Sequence, residues 1–370
     1  MTPDATGFAD AVRGEAAGWD RRGELPAEVR RAAGAAGLLG VDVPARYGGA
    51  GGTPYELGEV CATLGGVCGA LRGLVTVQGM VAAALLRWGS AAQRGRWLPA
   101  LARGESVGAF AATEPGAGTD LAGVETRVDG DGEGPVTVSG VKRWVTFGQV
   151  ANVFLVLGTA AGRLTCVFVE SDRPGVAVEP VTGQLGMRAA QIAHVRFDAV
   201  RVPRGNVVAS PGFGLSHVAG TALDHGRFTV GWGCVGMAEA CLGLAARHAA
   251  DRTQRGVPLA EHQLVRSSLA RAAVDTGAAR ELCARAARLR QDRDPVALTA
   301  TMIAKYAAAR TAASVSHSAV QILGSAGCEQ DNPVSRFFRD AKVMEIIEGS
   351  TEVTEMHIAA HVLRDVGARP

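Results

Sequence analysis
The stretch "AATEPGAGTD", Ala111–Asp120, packs a Glu-Pro turn, two glycines and an acid into ten residues. Its glycines let backbone amides approach a ligand, while Thr113 and Thr119 offer hydroxyls, so the loop could hold a phosphate or the polar edge of a heteroaromatic ring. A hairpin turn with a satisfied Asp120 accounts for the same residues. A dinucleotide-binding reading of "GAG" fails, because GxGxxG is absent and no helical pattern follows to present an N-terminus. Further along, "GVKRWVTFG" sets the indole of Trp144 and the hydroxyl of Thr146 two residues apart, a spacing that predicts one shared strand face. An aromatic platform beside a hydroxyl suits a flat redox ring that needs stacking and one hydrogen bond. Near the end of the chain, "RDAKVMEIIEGSTEV" puts Glu348 between an apolar run and Gly349-Ser350-Thr351. A carboxylate there is placed for proton abstraction, its pKa raised by desolvation. The alternative is an acid favoured by the dipole of the helix that follows.

Three kinds of element must position these groups. Residues 1–106 read as helical. "LPAEVRRAAGAAGLLG" has apolar positions at helical spacing and ends at a glycine, "CGALRGLVTVQGMVAAALLRWG" is a nearly all-apolar helix closed by Gly89, and "SAAQRGRWLPALARG" follows. Residues 107–212 change character: "GPVTVSGVKRWVTFG", "NVFLVLGT", "RLTCVFVE" and "AHVRFDAVRVP" are short alternating or apolar runs punctuated by Gly, Asp and Pro. That is the pattern of a small, mostly antiparallel β domain, with the Ala111–Asp120 loop at its front edge. Residues 213–370 return to long helices, most plainly "DPVALTATMIAKYAAARTAASVSHSAVQILG", for which Asp294 is the expected N-cap, Pro295 the first helical residue and Gly324 the stop. The expected fold is mainly α with a central β domain: an N-terminal helical domain, a small β-barrel-like domain and a C-terminal four-helix bundle carrying the base.

Composition excludes several classes. The chain has 370 residues, enough for two or three domains, and Lys+Arg 38 against Asp+Glu 36 argues against a nucleic-acid or other polyanionic partner. The polar start gives no signal-peptide pattern, which points to the cytoplasm. "FTVGWGCVGMAEACLGLAA" is long enough to raise the membrane question, but its four glycines, Glu239 and unbiased flanks favour a buried helix over a span. The seven cysteines form no CxxC and read as reduced core thiols. Two pairs, Cys61/Cys68 and Cys234/Cys241, are spaced by seven, which predicts one helix face for each pair. His357 and His361 also share a helix face, but no third ligand is close in sequence, so no metal is expected.

The motifs resemble a family. "TEPGAGTD", "WVTFG", "RTQRGVPLAEHQ", "AVQILGSAG" and "RDAKVMEIIEGS" occur in this order in the acyl-CoA dehydrogenases, and the resemblance covers nearly the whole chain. It implies a flavoenzyme that binds FAD between the β domain and the C-terminal helices, as a homodimer or homotetramer that passes electrons to an acceptor. By the same resemblance Phe110, Thr113, Trp144 and Thr146 surround the isoalloxazine ring, with Thr146 at N5. Gly118 and Thr119 belong to the loop, Thr119 at the pyrophosphate. Arg252 and Gln254, with Gln321 and Gly324, reach the neighbouring subunit's FAD. Ser350 and Glu352 follow the base towards the adenosine half. Glu348 resembles the catalytic base, and Arg227 in "LDHGR" an arginine that supports the catalytic loop.

The chain departs from the family at Arg255, where an aromatic is usual, at Val257, where a lysine is usual, and at Val353-Thr354-Glu355, where Ile-Gln-Arg is usual. No role is assigned to Arg255. Within the family, "LRGLVTVQGM", "VGWGCVGM" and "DAKVMEIIEGS" resemble the branch that makes hydroxymalonyl- or methoxymalonyl-carrier-protein extender units in polyketide pathways. That likeness implies an acyl group carried by an acyl-carrier protein rather than by coenzyme A. The competing expectations are a fatty or branched-chain acyl-CoA dehydrogenase and a flavin monooxygenase or oxidase on the same scaffold. The latter normally replaces the base glutamate, so Glu348 speaks against it.

Overall fold
The computed structural model describes residues 3–130, 132–365 and 367. Six helices come first: α1 (Ala5–Val12), α2 (Ala16–Arg22), α3 (Ala27–Ala35), α4 (Pro54–Gly65), α5 (Gly69–Trp88) and α6 (Ala91–Ala102). Their starts follow local chemistry. Thr53 and Glu56 form a reciprocal capping box at α4, and Ser90 and Gln93 form another at α6. Helix α3 stops at Ala35, earlier than the apolar spacing suggests, because Gly37 turns left-handed (φ +75°) just beyond it.

Strands β1 (Gly108–Ala111), β2 (Arg127–Asp129), β3 (Val136–Val145), β4 (Val153–Ala160), β5 (Arg163–Glu170), β6 (Val176–Pro180), β7 (Ala193–Val202) and β8 (Val207–Val208) form one sheet. Its order is β6-β7-β3-β2-β4-β5-β8, with β1 added in parallel on β4. Apart from the β1–β4 and β2–β4 pairs the strands run antiparallel. The alternation in β3 and the apolar run in β4 and β5 are core signals, because these strands bury Val138, Phe154 and Phe168.

The last third is helical: α7 (Gly220–Asp251), entered through a π turn at Gly214–Ala219, then a β9–β10 ribbon (Thr253–Gln254, Val257–Pro258), α8 (Gln263–Gln291), α9 (Ala297–Leu323), α10 (Pro333–Met344) and α11 (Thr351–Asp365). Helix α7 is the axle of the molecule and packs on α4, α5, α8 and α9. Among the described residues two helices are long and apolar enough to cross a bilayer, Gly69–Trp88 and Gly214–Asp251, and both lie mostly inside this packing.

Two local expectations are corrected. Helix α9 begins at Ala297, because the Asp294 carboxylate accepts from the Val296 amide (2.8 Å) and the Asp294 carbonyl from Ala297 N (3.0 Å), which closes a turn around Pro295 instead of a cap. Gly324 does end the helix, with φ +61°. Cys61 and Cys68 do not share a helix: Cys61 is in α4, the chain breaks at Gly65-Gly66, and Cys68 is the N-cap of α5. Cys234 and Cys241 do share α7. All seven thiols are unpaired, six buried and Cys328 exposed.

Candidate active site
A cavity of about 640 Å³ opens where the three parts of the chain meet. Helix α5 contributes Val77 and Met80, strand β1 and its loop contribute Phe110, Thr113, Gly118 and Thr119, the end of β3 contributes Trp144 and Thr146, and α7 contributes Leu223 and Arg227. Glu348 and Ser350 close it from the turn before α11. The cavity therefore gathers one carboxylate, the indole and the hydroxyls that the sequence singled out. Arg252, Gln254, Gln321, Gly324 and Glu352 do not line it; all five are exposed on the C-terminal helices and their connections.

The loop after β1 is held from beneath by a buried ion pair. Lys142 Nζ donates to the Glu114 carboxylate (2.7 Å) and to the Ala112 carbonyl (2.9 Å). The same carboxylate accepts from the amides of Glu125 (2.7 Å) and Thr126 (3.0 Å) and from the Thr126 hydroxyl (2.6 Å). Asp120 is satisfied by the Ala122 amide (3.0 Å), as a plain turn requires. Nothing of the kind occupies the hydroxyls of Thr113, Thr119 and Thr146, which make no hydrogen bond among the described residues.

Trp144 and Thr146 line the cavity together, but not as neighbours on one regular strand face. The β3–β7 register shifts between Lys142 and Val145, Trp144 takes a left-handed φ of +58°, and the strand ends at Val145. The bulge swings the indole outward, 57% exposed, with its ring edge-on to His194. A half-exposed indole beside an unbonded hydroxyl, over a loop with two more, fits the face and edge of a flavin.

Glu348 also stands in a left-handed conformation (φ +56°), followed by Gly349 at φ +95°. Two bonds fix this turn: Arg227 Nε donates to the Glu348 carbonyl (3.0 Å), and Lys305 Nζ to the Gly349 carbonyl (2.7 Å). The carboxylate lies against Gly226, where a Cβ would sit 2.5 Å from Oε2. Oε2 is out of contact with water and has no hydrogen-bond partner. Burial pushes the acid up to about 7, against the opposing pull of Arg227, Lys305 and Arg72. An unbonded carboxyl poised near neutrality beside a cavity can accept a proton from whatever enters.

Sequence reasoning passed over four supporting residues. Lys142 was legible, since it shares the parity of the buried Val136 and Val138, and a lysine on that face needs a partner. Glu114 in the quoted loop is that partner. Lys305 lies among apolar residues of α9 and gave no motif, and Arg72, although inside "LRGLVTVQGM", lies among apolar residues of α5 with nothing in its spacing to mark a role.

Three family models match in order: acyl-CoA dehydrogenase N-terminal domain over residues 5–105, middle domain over 109–200 and C-terminal domain over 214–363. The mitochondrial short-chain specific acyl-CoA dehydrogenase of Mus musculus is 33% identical, covering 94% of this chain and 85% of its own length. Among solved structures, FkbI, described as serving biosynthesis of the methoxymalonyl extender unit of the Fk520 polyketide immunosuppressant, is 40% identical with a TM-score of 0.91, over 97% of this chain and 99% of its own. Butyryl-CoA dehydrogenase from Megasphaera elsdenii superposes with a TM-score of 0.94 at 29% identity, over 97% and 96% of the two chains.

Proposed function
This chain belongs to the acyl-CoA dehydrogenase family, FAD-dependent oxidoreductases, and we propose that it oxidises a short, hydroxylated three-carbon acyl group on an acyl-carrier protein to the hydroxymalonyl thioester of a polyketide extender unit. FAD, when bound, supplies the hydride acceptor; Trp144, Thr146 and Thr113 are the groups to hold its ring, and Gly118 and Thr119 its phosphates. Arg252, Gln254, Gln321 and Gly324, all exposed here, are assigned to the FAD of a neighbouring copy in a cytoplasmic homodimer or homotetramer, and Ser350 and the exposed Glu352 to the adenosine half. The observation that carries the reading is the Glu348 carboxylate, buried and unbonded at Oε2, on the same cavity as Trp144 and Thr146.

The chemistry needs no further catalytic group. In the hydrate of a 2-hydroxy-3-oxopropionyl thioester the carbonyl acidifies the α-hydrogen, and Glu348 removes it as a proton. A hydride leaves the β-carbon with two electrons. The resulting enediol, with a second hydroxyl on the β-carbon, tautomerises to the hydroxymalonyl thioester, so the β-carbon ends as a carboxylic acid. Arg227 and Lys305 hold the turn that keeps Glu348 aimed at that hydrogen. The likeness to FkbI and the three motifs shared with the polyketide branch support the substrate. The likeness to the short-chain and butyryl enzymes supports a second reading, a short-chain acyl-CoA dehydrogenase.

Anaerobic mixing separates the two. The polar three-carbon acyl-carrier protein should bleach the flavin faster than the matching coenzyme A ester, and faster than butyryl- or octanoyl-CoA. A plain fatty acyl-CoA that bleaches it fastest replaces the first reading with the second.

A further inference from the structure
Three cations on three different helices act on the Glu348 carboxylate: Arg227 of α7, Lys305 of α9 and Arg72 of α5. Arg227 lines the cavity, whereas Arg72 and Lys305 are buried, 2% and 1% exposed. Neither forms a salt bridge with a carboxylate among the described residues. Arg72 spends its donors on the Thr76 hydroxyl (3.0 Å) and the Met344 sulfur (2.9 Å), and Thr76 passes the chain on to Thr229 (3.0 Å). Lys305 gives its one hydrogen bond to the Gly349 carbonyl. Burying a charge without a counter-ion is costly, and an arginine cannot escape the cost by losing its proton. Two such residues behind one catalytic turn call for a reason.

We infer that Arg72 and Lys305 are positioning residues for Glu348: their buried charge holds the carboxylate ionised in a dry site, and Lys305 also pins the left-handed turn that aims it. The other groups around them leave that role to Glu348. Arg72 is faced by the thiols of Cys61 on α4 and Cys234 on α7, which burial pushes up to about 12 and about 11, so neither carries charge near neutral pH. Lys305 is faced by Cys234, by Arg227 and by Glu345 at the end of α10, whose carboxylate is engaged by Lys342 (3.0 Å). Burial in turn pushes Lys305 down to about 8, so it still carries its charge over the range in which Glu348 must lose its proton. Burial alone would hold Glu348 protonated through neutral pH; the cations return it to a range in which a base is useful.

This inference rests on the reading of Glu348 as the base, and its test needs no substrate. The protonated carboxyl stretch of Glu348 is followed by infrared difference spectroscopy across pH on the FAD-bound protein, with Glu348→Gln as the blank that assigns the band. Arg72→Met and Lys305→Met should each raise the titration midpoint, Lys305→Met the more, because each removes a positive charge that favours the ionised carboxyl. Arg72→Lys and Lys305→Arg keep the charge and should keep the wild-type midpoint. Should a methionine variant fail to hold FAD, glutamine at the same position removes the charge but keeps a donor, with the same expected shift. A midpoint unmoved in the charge-removing variants overturns the inference, whatever the substrate panel shows. A failed substrate panel with a shifted midpoint overturns only the substrate reading.

Discussion
Glu348 combines two costs, a left-handed backbone and a desolvated carboxylate, that a residue without a task would not keep. Its pKa, raised from the ordinary carboxylate range to about 7, has consequences of opposite sign for activity and stability. A base must be ionised, so the rate of anaerobic flavin reduction by free enzyme should rise with pH through about 7 and be lost below it. Folding feels the reverse. An acid whose folded pKa is raised contributes stability that is fully present below its unfolded value and is lost as pH rises through about 7. Glu348→Gln cannot ionise, so at pH 8 it should be more stable than wild type, by up to about 3 kcal/mol. It should retain FAD yet reduce the flavin at least ~10²-fold more slowly. Denaturant unfolding at pH 5 and pH 8 beside stopped-flow reduction checks both halves; wild-type reduction rates in the variant would remove Glu348 from the mechanism. The sequence made this residue legible through its apolar flank and the Gly-Ser-Thr after it. What it could not show is the unpartnered Oε2 or the space that Gly226 leaves, because both arise from a helix more than a hundred residues earlier in the chain.

Between β1 and β3 the structure separates what touches a ligand from what holds the ligand's loop in place. Thr113, Thr119 and Trp144 face the cavity, while Glu114 and Lys142 tie the loop to the sheet behind it. The cavity-facing set was read from side-chain chemistry alone. The strand geometry behind it was read as regular alternation, and that failed at the end of β3. The bulge cannot be inferred from residue types there, since nothing in Lys142-Arg143-Trp144-Val145 marks where the register with β7 shifts. Two variants test the division of labour. Trp144→Ala should fold normally and hold FAD about fivefold less tightly, because a stacked aromatic contributes roughly 1 kcal/mol beyond its burial. Unchanged FAD retention would reduce the indole to a surface residue. Lys142→Met strands the Glu114 carboxylate inside the sheet, and removing one partner of a buried pair costs about 3–5 kcal/mol. The melting temperature should fall with the FAD content, and an unchanged melting temperature would mean that the pair does not hold the loop.

At the scale of the whole molecule, the cavity exists only because the N-terminal and C-terminal helices lie close enough together to share it. They do so along a seam of small residues between α4 and α7. A Cβ on Gly58 would run into the Trp232 indole, one on Gly65 into the backbone of Gly233, and one on Gly236 into the backbone of Ala62. "VGWGCVGM" attracted notice in the sequence as a likeness and as an apolar run, but its physical use is this close backbone approach. Periodicity could not reveal that, because a glycine looks the same whether it is free or crowded. The seam also carries Arg72, whose side chain crosses α7 at Gly233, where a Cβ would meet it at 2.7 Å. Gly236→Ala is therefore the sharpest probe of the assembly. The obstructing atoms are backbone, which cannot swing aside, so the helices must separate locally, and overpacking of that kind costs about 1–3 kcal/mol. The exposed helix glycine Gly277, with nothing near its missing Cβ, is the control: Gly277→Ala should be neutral or slightly stabilising. The expected pattern is a melting temperature lowered by several degrees in Gly236→Ala alone, with weakened FAD retention as the shared cavity loosens. Equal melting temperatures in the two variants would mean that the α4–α7 contact does not hold the two helical regions together.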